Sequence, residues 1–378
     1  MIVLDLSRVL AGPYATQLLG DLGAEVWKVE RPGSGDETRA WGPPFVGGLS
    51  AYFLSVNRNK RSAELDFTIA SDREAILAAA KQADVVVENF LPGDLARHGL
   101  DAASLRSKNP ELIVCSITGY GQDGPYAHLP GYDAVMQGFV GLQAVTGDAE
   151  GPPLKVGVAL IDVLTGVHAA SAILAALVGR LRGLGGAHLD VALAEVGVAS
   201  LVNVAQSVLS TGVPARRHGT AHPTIVPYQT FAASDGSFVV AVGNDGQWRR
   251  LCEALGEPLL AEGPWARNPE RVLERADVIG WLASHFVTAS RAEWVARLQE
   301  AEVPCGAVRE VHEVVADPAL ALRGMFQSAS LPEGVETRIL TLPWRIEGKR
   351  RGDAIPPPRL GADTRAFLDR FGAGHKPM

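Results

Sequence analysis

Residues 1–30 read MIVLDLSRVLAGPYATQLLGDLGAEVWKVE, and this stretch decides the fold. Residues 2–6 (IVLDL) are apolar apart from Asp5, which predicts a buried strand. Residues 13–22 take up helical spacing, and residues 25–30 (EVWKVE) return to a strand. The alternation continues outward. Residues 61–67 predict a third strand and 71–82 a helix, with Ser71 as its cap and Asp72 and Glu74 in its first turn. Residues 84–90 (DVVVENF) and 112–118 (LIVCSIT) are further strands, separated by short helices near 94–97 and 102–107. Such a sequence of elements predicts an α/β fold with a mostly parallel, doubly wound sheet. Ligands of these sheets bind beyond the carboxyl ends of the strands. Here those ends lead into the loops 7–13, 31–44, 89–93 and 119–125.

A chain of 378 residues exceeds one ordinary core, so two domains are expected. A strand at 188–192 and a helix at 195–210 precede the polar connector TGVPARRHGTAHPTIVP (211–227), where the composition changes. Residues 228–243 (YQTFAASDGSFVVAVG) predict a hairpin turning at Asp235-Gly236. Helices follow at 245–254, 271–286 and 291–301, then at 311–322 and 362–372. The expected organisation is a Rossmann-like large domain over 1–210, a small α/β domain over 225–305, and a return to the large domain over 306–378.

Composition narrows the function. Hydrophobic residues at 47% and charged residues at 20% describe a folded globule. A net charge of −7 without a basic block argues against nucleic acid as partner. Cys115, Cys252 and Cys305 lack CxxC spacing, and none of the nine histidines pairs with Asp or Cys at catalytic or metal spacing. Neither a disulfide framework, a metal site nor a hydrolase triad is therefore expected. The first residues enter a strand with no basic leader or cleavage site, so a cytoplasmic protein is expected. The longest uncharged apolar run, near 169–178, is about half of the roughly 20 residues that span a bilayer, so no membrane partner is expected.

Few motifs carry chemistry. AGPYATQLLGDLG opens a helix after the first strand but is not GxGxxG, which ranks an NAD-dependent dehydrogenase low despite Glu30 at the end of the second strand. Arg31, at a strand's carboxyl end, suits solvent or a phosphate equally. The run Asn57-Arg58-Asn59-Lys60-Arg61 reads first as a solvated face and second as a site for a phosphorylated ligand. Glu88-Asn89-Phe90 ends a buried strand in a way that suits an adenine or a pantetheine amide, with Phe90 alternatively in the core. Asp162 stands in the nearly uncharged stretch VGVALIDVLTGVHAA (156–170), at the start of an apolar helix. A carboxylate there caps the helix, or is held ionised by the free N–H groups of the first turn and aimed at an electrophile.

Taken in order, these segments resemble the class III CoA-transferases, the family that includes formyl-CoA transferase, carnitine-CoA transferase and α-methylacyl-CoA racemase. The stretches that carry the resemblance are LDLSRVLAGPYATQLLGDLGAEVWKVERPGSGDETR, NRNKRSAELDF, ADVVVENFLPGDLARHGL, ITGYGQDGPYAHLPGYDAVMQG, IDVLTGVHAA, HPTIVPYQTFAASDG, VPCGAV and LGADTRAFLDRFG. The resemblance implies that Asp162 is a nucleophile that attacks an acyl-CoA thioester, forming an aspartyl anhydride and then an Asp-CoA thioester, from which a free carboxylic acid takes the CoA. An ordinary Asp pKa of ~3.9 leaves such a group ionised at neutral pH. The resemblance also implies a CoA site at Val9, Arg31, Leu65, Asn89, Phe90 and Arg97, with Arg31 and Arg97 on the phosphates, and Tyr132 and Asp133 as neighbours of Asp162. CoA and acyl-CoA enter as substrates, and no permanently bound cofactor or metal is implied. The family forms an interlocked, ring-shaped homodimer.

Two departures bear on substrate. Leu10 stands where formyl-CoA transferase has Gln, and GNDGQW (243–248) replaces that enzyme's tetraglycine loop. The racemase branch pairs its Asp with a His in a Gly-His-Asp motif. Here the motif is Gly131-Tyr132-Asp133, and a Tyr with pKa ~10 is poorly matched to reversible proton exchange near neutrality. A transferase is therefore expected ahead of a 2-methylacyl-CoA racemase, and both ahead of a non-catalytic CoA-ester-binding protein.

Overall fold

A computed structural model describes residues 1–331, 334–350 and 354–372. The apolar runs form six parallel strands: β1 (Ile2–Asp5), β2 (Glu25–Glu30), β3 (Lys60–Glu64), β4 (Val85–Glu88), β5 (Ile113–Thr118) and β6 (His188–Ala192). Their order across the sheet is β3-β2-β1-β4-β5-β6. This is the doubly wound order, in which the winding reverses between β1 and β4, and the crevice for a ligand opens at that reversal.

Each strand sends alternate side chains to opposite faces. On one face Val3, Val26, Val85, Ile113 and Cys115 pack with helices α1 (Ala11–Asp21) and α4 (Leu160–Leu181). On the other, Leu4, Trp27, Val86 and Val114 pack with helix α2 (Ala70–Gln82) and with Phe367 and Phe371 near the chain's end. Both phenylalanines meet Trp27 edge-on, at 5.5 and 5.6 Å between centroids. On the first face α3 (Asp133–Phe139) and α5 (Leu193–Ser200) pack beside α4 in the same core, and α6 (Val202–Thr211) follows α5.

Helix α4 sits close on α1. A Cβ on Gly166 would lie 2.8 Å from the Ala11 carbonyl oxygen and 3.0 Å from the Tyr14 ring, so only glycine allows this approach. The helix is 22 residues long and, by length and composition alone, long and apolar enough to cross a membrane. The apolar run expected near 169–178 is thus part of a longer element. Its buried face, Ile161, Thr165, Ala169 and Ile173, is spent on the sheet's core.

Several expected elements break. The helix expected over 195–210 becomes α5 and α6, which meet at 79°, with Val202 in left-handed backbone at φ 43°. The one expected over 271–286 divides at Glu274, and that over 311–322 divides before Pro318, whose ring admits no preceding helical turn. Ser71 lies inside α2 and does not cap it; Ile69 precedes the helix without a side-chain bond.

The chain divides into two compact units, one of residues 1–142, 155–213 and 318–378, the other of 143–154 and 214–317. The second is therefore larger than the expected 225–305. Its hairpin, β7 (Tyr228–Ala233) and β8 (Gly236–Ala241), gains a third strand, β9 (Cys305–Ala307), which pairs with β8 and carries the unit on to Asp317. Within it the side chain of Arg217 donates to the carbonyls of Ala144, Asp148 and Gly151, which ties in the segment 143–154.

Candidate active site

The loop after β1 sits at the sheet's reversal and is held from three sides. Val9 has φ 70°, a conformation that β-branched residues rarely adopt. Its N–H donates to both oxygens of Asp36, at 3.2 and 3.3 Å. Asp36 is paired with the buried Lys28 Nζ at 2.9 Å, and Lys28 also donates to the Ser7 carbonyl at 2.7 Å. From the β4 side the Asn89 amide takes both backbone groups of Arg8, accepting from its N–H at 3.0 Å and donating to its carbonyl at 2.7 Å. Beneath the loop Asp5 accepts from Ser7, from Thr16 and from Lys60 Nζ at 3.0 Å. Burial opposes ionisation of Asp5, but Lys60, Lys28 and the two hydroxyls carry its pKa down to about 2.

These partners correct two expectations. The run 57–61 is neither a solvated face nor a phosphate site. Asn57, Arg58 and Lys60 are buried; Arg58 pairs with Asp21, Lys60 with Asp5, and Arg61 lies over the Trp27 ring. Glu30 is no ribose ligand either, since Arg39 grips both of its oxygens at 2.7 Å and Ser62 donates to it.

Asp162 is the third residue of α4, and its neighbour Asp133 does the capping. Asp133 Oδ1 accepts from the N–H groups of Ile161 at 2.8 Å and Asp162 at 3.2 Å. The fully buried Gln137 donates to Asp133 Oδ2 at 2.6 Å and accepts from the Val156 N–H at 2.9 Å, which fixes the cap and the approach to α4 together. Among the described residues none donates to the Asp162 carboxylate. Burial, and then the charge of Asp133, push its pKa up to about 7. The expectation that the helix N-terminus holds Asp162 at an ordinary carboxylate pKa is thus overturned. The N–H groups that would do so are already bonded to Asp133.

Two cavities adjoin at this point. One is a cleft of about 130 Å³ lined by Val9, Asn89, Phe90, Tyr132 and Asp162, together with Leu10 and Ala11 at the start of α1. The other, of about 310 Å³, is lined by Arg31, Leu65, Phe67 and Phe90. Arg8, Glu37 and Phe90 line both. The structure therefore gathers Val9, Asn89, Phe90 and Tyr132 with Asp162, and gathers Arg31, Leu65 and Phe90 in the neighbouring cavity. Asp133 stands behind Asp162. Arg97 lines neither cavity; it lies exposed on the turn Ala96–His98, ion-paired with Asp94.

Three residues escaped the sequence reading. Arg8 lies in one of the loops expected to meet a ligand, so its charge was the available signal. Glu37, charged and in the loop 31–44, offered the same signal, and Tyr52 offered none. Tyr52 is raised to about 12 by burial and by the charges of Asp162 and Asp133, so it stands near them as a protonated hydroxyl, edge-on to Trp41 at 5.1 Å.

Residues 1–364 match the model of CoA-transferase family III. A succinate–glutarate CoA-transferase of Agrobacterium fabrum is 41% identical, over 95% of this chain and 92% of that protein. The human succinyl-CoA:glutarate CoA-transferase is 40% identical, over 97% of this chain and 84% of its own length. A crystal structure of a CAIB/BAIF family protein from Brucella suis superposes with a TM-score of 0.87, at 41% identity and with 98% of each chain covered. The chain belongs to CoA-transferase family III. It is a CoA-transferase, and CoA thioesters are its substrates.

Proposed function

We propose that this enzyme moves CoA from a dicarboxylic acyl-CoA to a free dicarboxylate, with Asp162 as the covalent nucleophile. The observation that carries this reading is the Asp162 carboxylate, raised to about 7, opening into a cleft beside a second cavity lined by Arg31 and Phe90. A raised pKa makes the ionised carboxylate a better nucleophile. It attacks the thioester carbon, the C–S bond breaks, and CoA thiolate leaves, giving a mixed anhydride. The thiolate then attacks the aspartyl carbonyl, releasing the donor acid and forming an Asp-CoA thioester. The acceptor carboxylate attacks that thioester to give a second anhydride, and the thiolate takes its acyl group, restoring Asp162. Helix α1 begins beside the cleft with no side-chain cap, so its first N–H groups are free to stabilise the oxyanion of each step. The dicarboxylate assignment is supported by the succinate and glutarate named for the two relatives.

Arg31 at the mouth of the second cavity is the phosphate contact, with Phe90 beside the pantetheine and Val9, Leu65 and Asn89 shaping its path. One lost charge-assisted hydrogen bond costs about 1.5–3 kcal/mol, so Arg31→Ala should raise the KM for acyl-CoA roughly 10- to 100-fold. Arg97→Ala should have a smaller effect, because Arg97 is exposed and already paired. Calorimetric titration with CoA and dephospho-CoA checks both, and equal losses in the two variants would contradict this ranking.

The same reading has the enzyme in the cytoplasm as an interlocked homodimer. In its support, α4 to α6 present Leu181, Leu184, Val202 and Leu209 at 68–86% exposure, apolar side chains that a second copy would cover. A racemase is the rival activity, and Tyr132 in place of its His argues against it. The deciding experiment incubates the enzyme with a chiral 2-methylacyl-CoA in deuterated water, and separately with succinyl-CoA and glutarate. Exchange of CoA only when an acceptor acid is present, with no α-deuterium, is expected. Rapid α-exchange without acceptor would assign the chain to the racemases.

A further inference from the structure

The cleft in front of Asp162 is acidic. Asp162 and Glu37 line it and Asp133 stands behind. Among the described residues that line it, Arg8 is the sole cation. Its guanidinium lies 5.3 Å from the Phe90 ring centroid, and its Nη1 donates to Glu37 Oε1 at 2.9 Å. Both side chains of that pair are half-exposed, at 41% and 45%. The backbone of Arg8, by contrast, is immobilised by the two Asn89 bonds. A half-exposed guanidinium thus extends from a fixed backbone where the two cavities join.

We propose that Arg8 binds the non-reacting carboxylate of the substrate acid, exchanging Glu37 for it, and so selects dicarboxylates. This inference rests on the transferase reading above. A dicarboxylate brings a full negative charge into a cleft whose other charged groups are acids, and it needs a counter-charge there. A guanidinium offers two parallel N–H donors that match a carboxylate. Exchanging one carboxylate partner for another keeps the ion pair intact, and an exposed pair such as Arg8–Glu37 holds its partner weakly. Phe90 under the guanidinium keeps its plane oriented during the exchange. The CoA phosphates are the rival claimants for Arg8. The pantetheine arm separates them from the thioester, however, and Arg8 lines the cleft in which the thioester must meet Asp162. Lys28, in the second cavity, is committed to Asp36 and the Ser7 carbonyl.

The test is a competition. Wild type, Arg8→Gln and Arg8→Lys receive succinyl-CoA with equimolar glutarate and valerate, acids of equal length that differ in the second carboxylate. Mass spectrometry reads the ratio of glutaryl-CoA to valeryl-CoA. Loss of one charge-assisted contact predicts a ratio roughly 10- to 100-fold lower in Arg8→Gln, with part of the preference kept in Arg8→Lys. A ratio that stays within about twofold of wild type overturns the role of Arg8, whatever the absolute rates. Wild type that forms neither product would instead sink the reading of this enzyme as a succinyl-CoA and glutarate transferase, which separates the two failures.

Discussion

Asp162→Asn is expected to remove CoA transfer, with a loss of about four orders of magnitude or more, as for other covalent nucleophiles. The amide is isosteric with the carboxylate but has no anionic oxygen to attack a thioester. The cap on α4 belongs to Asp133, which the substitution leaves in place, so the helix and the cleft should survive. Wild type should form an adduct on Asp162 that hydroxylamine intercepts during turnover, and Asp162→Asn should not. Because only the ionised carboxylate reacts, wild-type turnover should rise with pH through about 7 and level off above it. Near-normal turnover by the Asn variant would end the covalent mechanism.

The same substitution should stabilise the protein at alkaline pH. Asp162 is raised from 3.8 to about 7 in the folded state, so between those values the native protein holds a proton that the unfolded chain releases. More protons bound by the native state means that stability falls as pH rises through this window. Above pH 7 the penalty is complete, and a shift of this size corresponds to about 4 kcal/mol. Asp162→Asn carries no such penalty. Urea titrations should find it more stable than wild type by an amount that grows from pH 5 to pH 8 and reaches the order of 4 kcal/mol. Equal stability of the two at pH 8 would mean that Asp162 titrates as an ordinary carboxylate despite its burial. A destabilised nucleophile is a common cost of a preorganised site.

The sheet was legible because its strands are written as local apolar runs, and Asp162 because a lone charge stands out in VGVALIDVLTGVHAA. What escaped depends on distant partners. The cap on α4 comes from Asp133, 28 residues before Ile161, and nothing near Asp162 reveals that its N–H groups are taken. The density of charge at 57–61 suggested an open surface, yet Arg58 finds Asp21 and Lys60 finds Asp5 at separations of 37 and 55 residues. The break between α5 and α6 is invisible for the opposite reason: the helical spacing of apolar residues runs through Leu201 and Val202 without a proline or a glycine to mark it. The segment 143–154 joins the second unit through carbonyls, which any sequence could supply.

The contact that Gly166 permits makes α1 and α4 a single block, so the helix that lines the cleft and the helix that carries Asp162 cannot be repositioned separately. Drift in such an enzyme is therefore uneven. A substitution that would move the reacting groups must shift both helices at once, whereas Arg8, Glu37 and Tyr132 at the rim can change one at a time. A lineage built on this block can exchange its clientele of acids while its chemistry stays fixed.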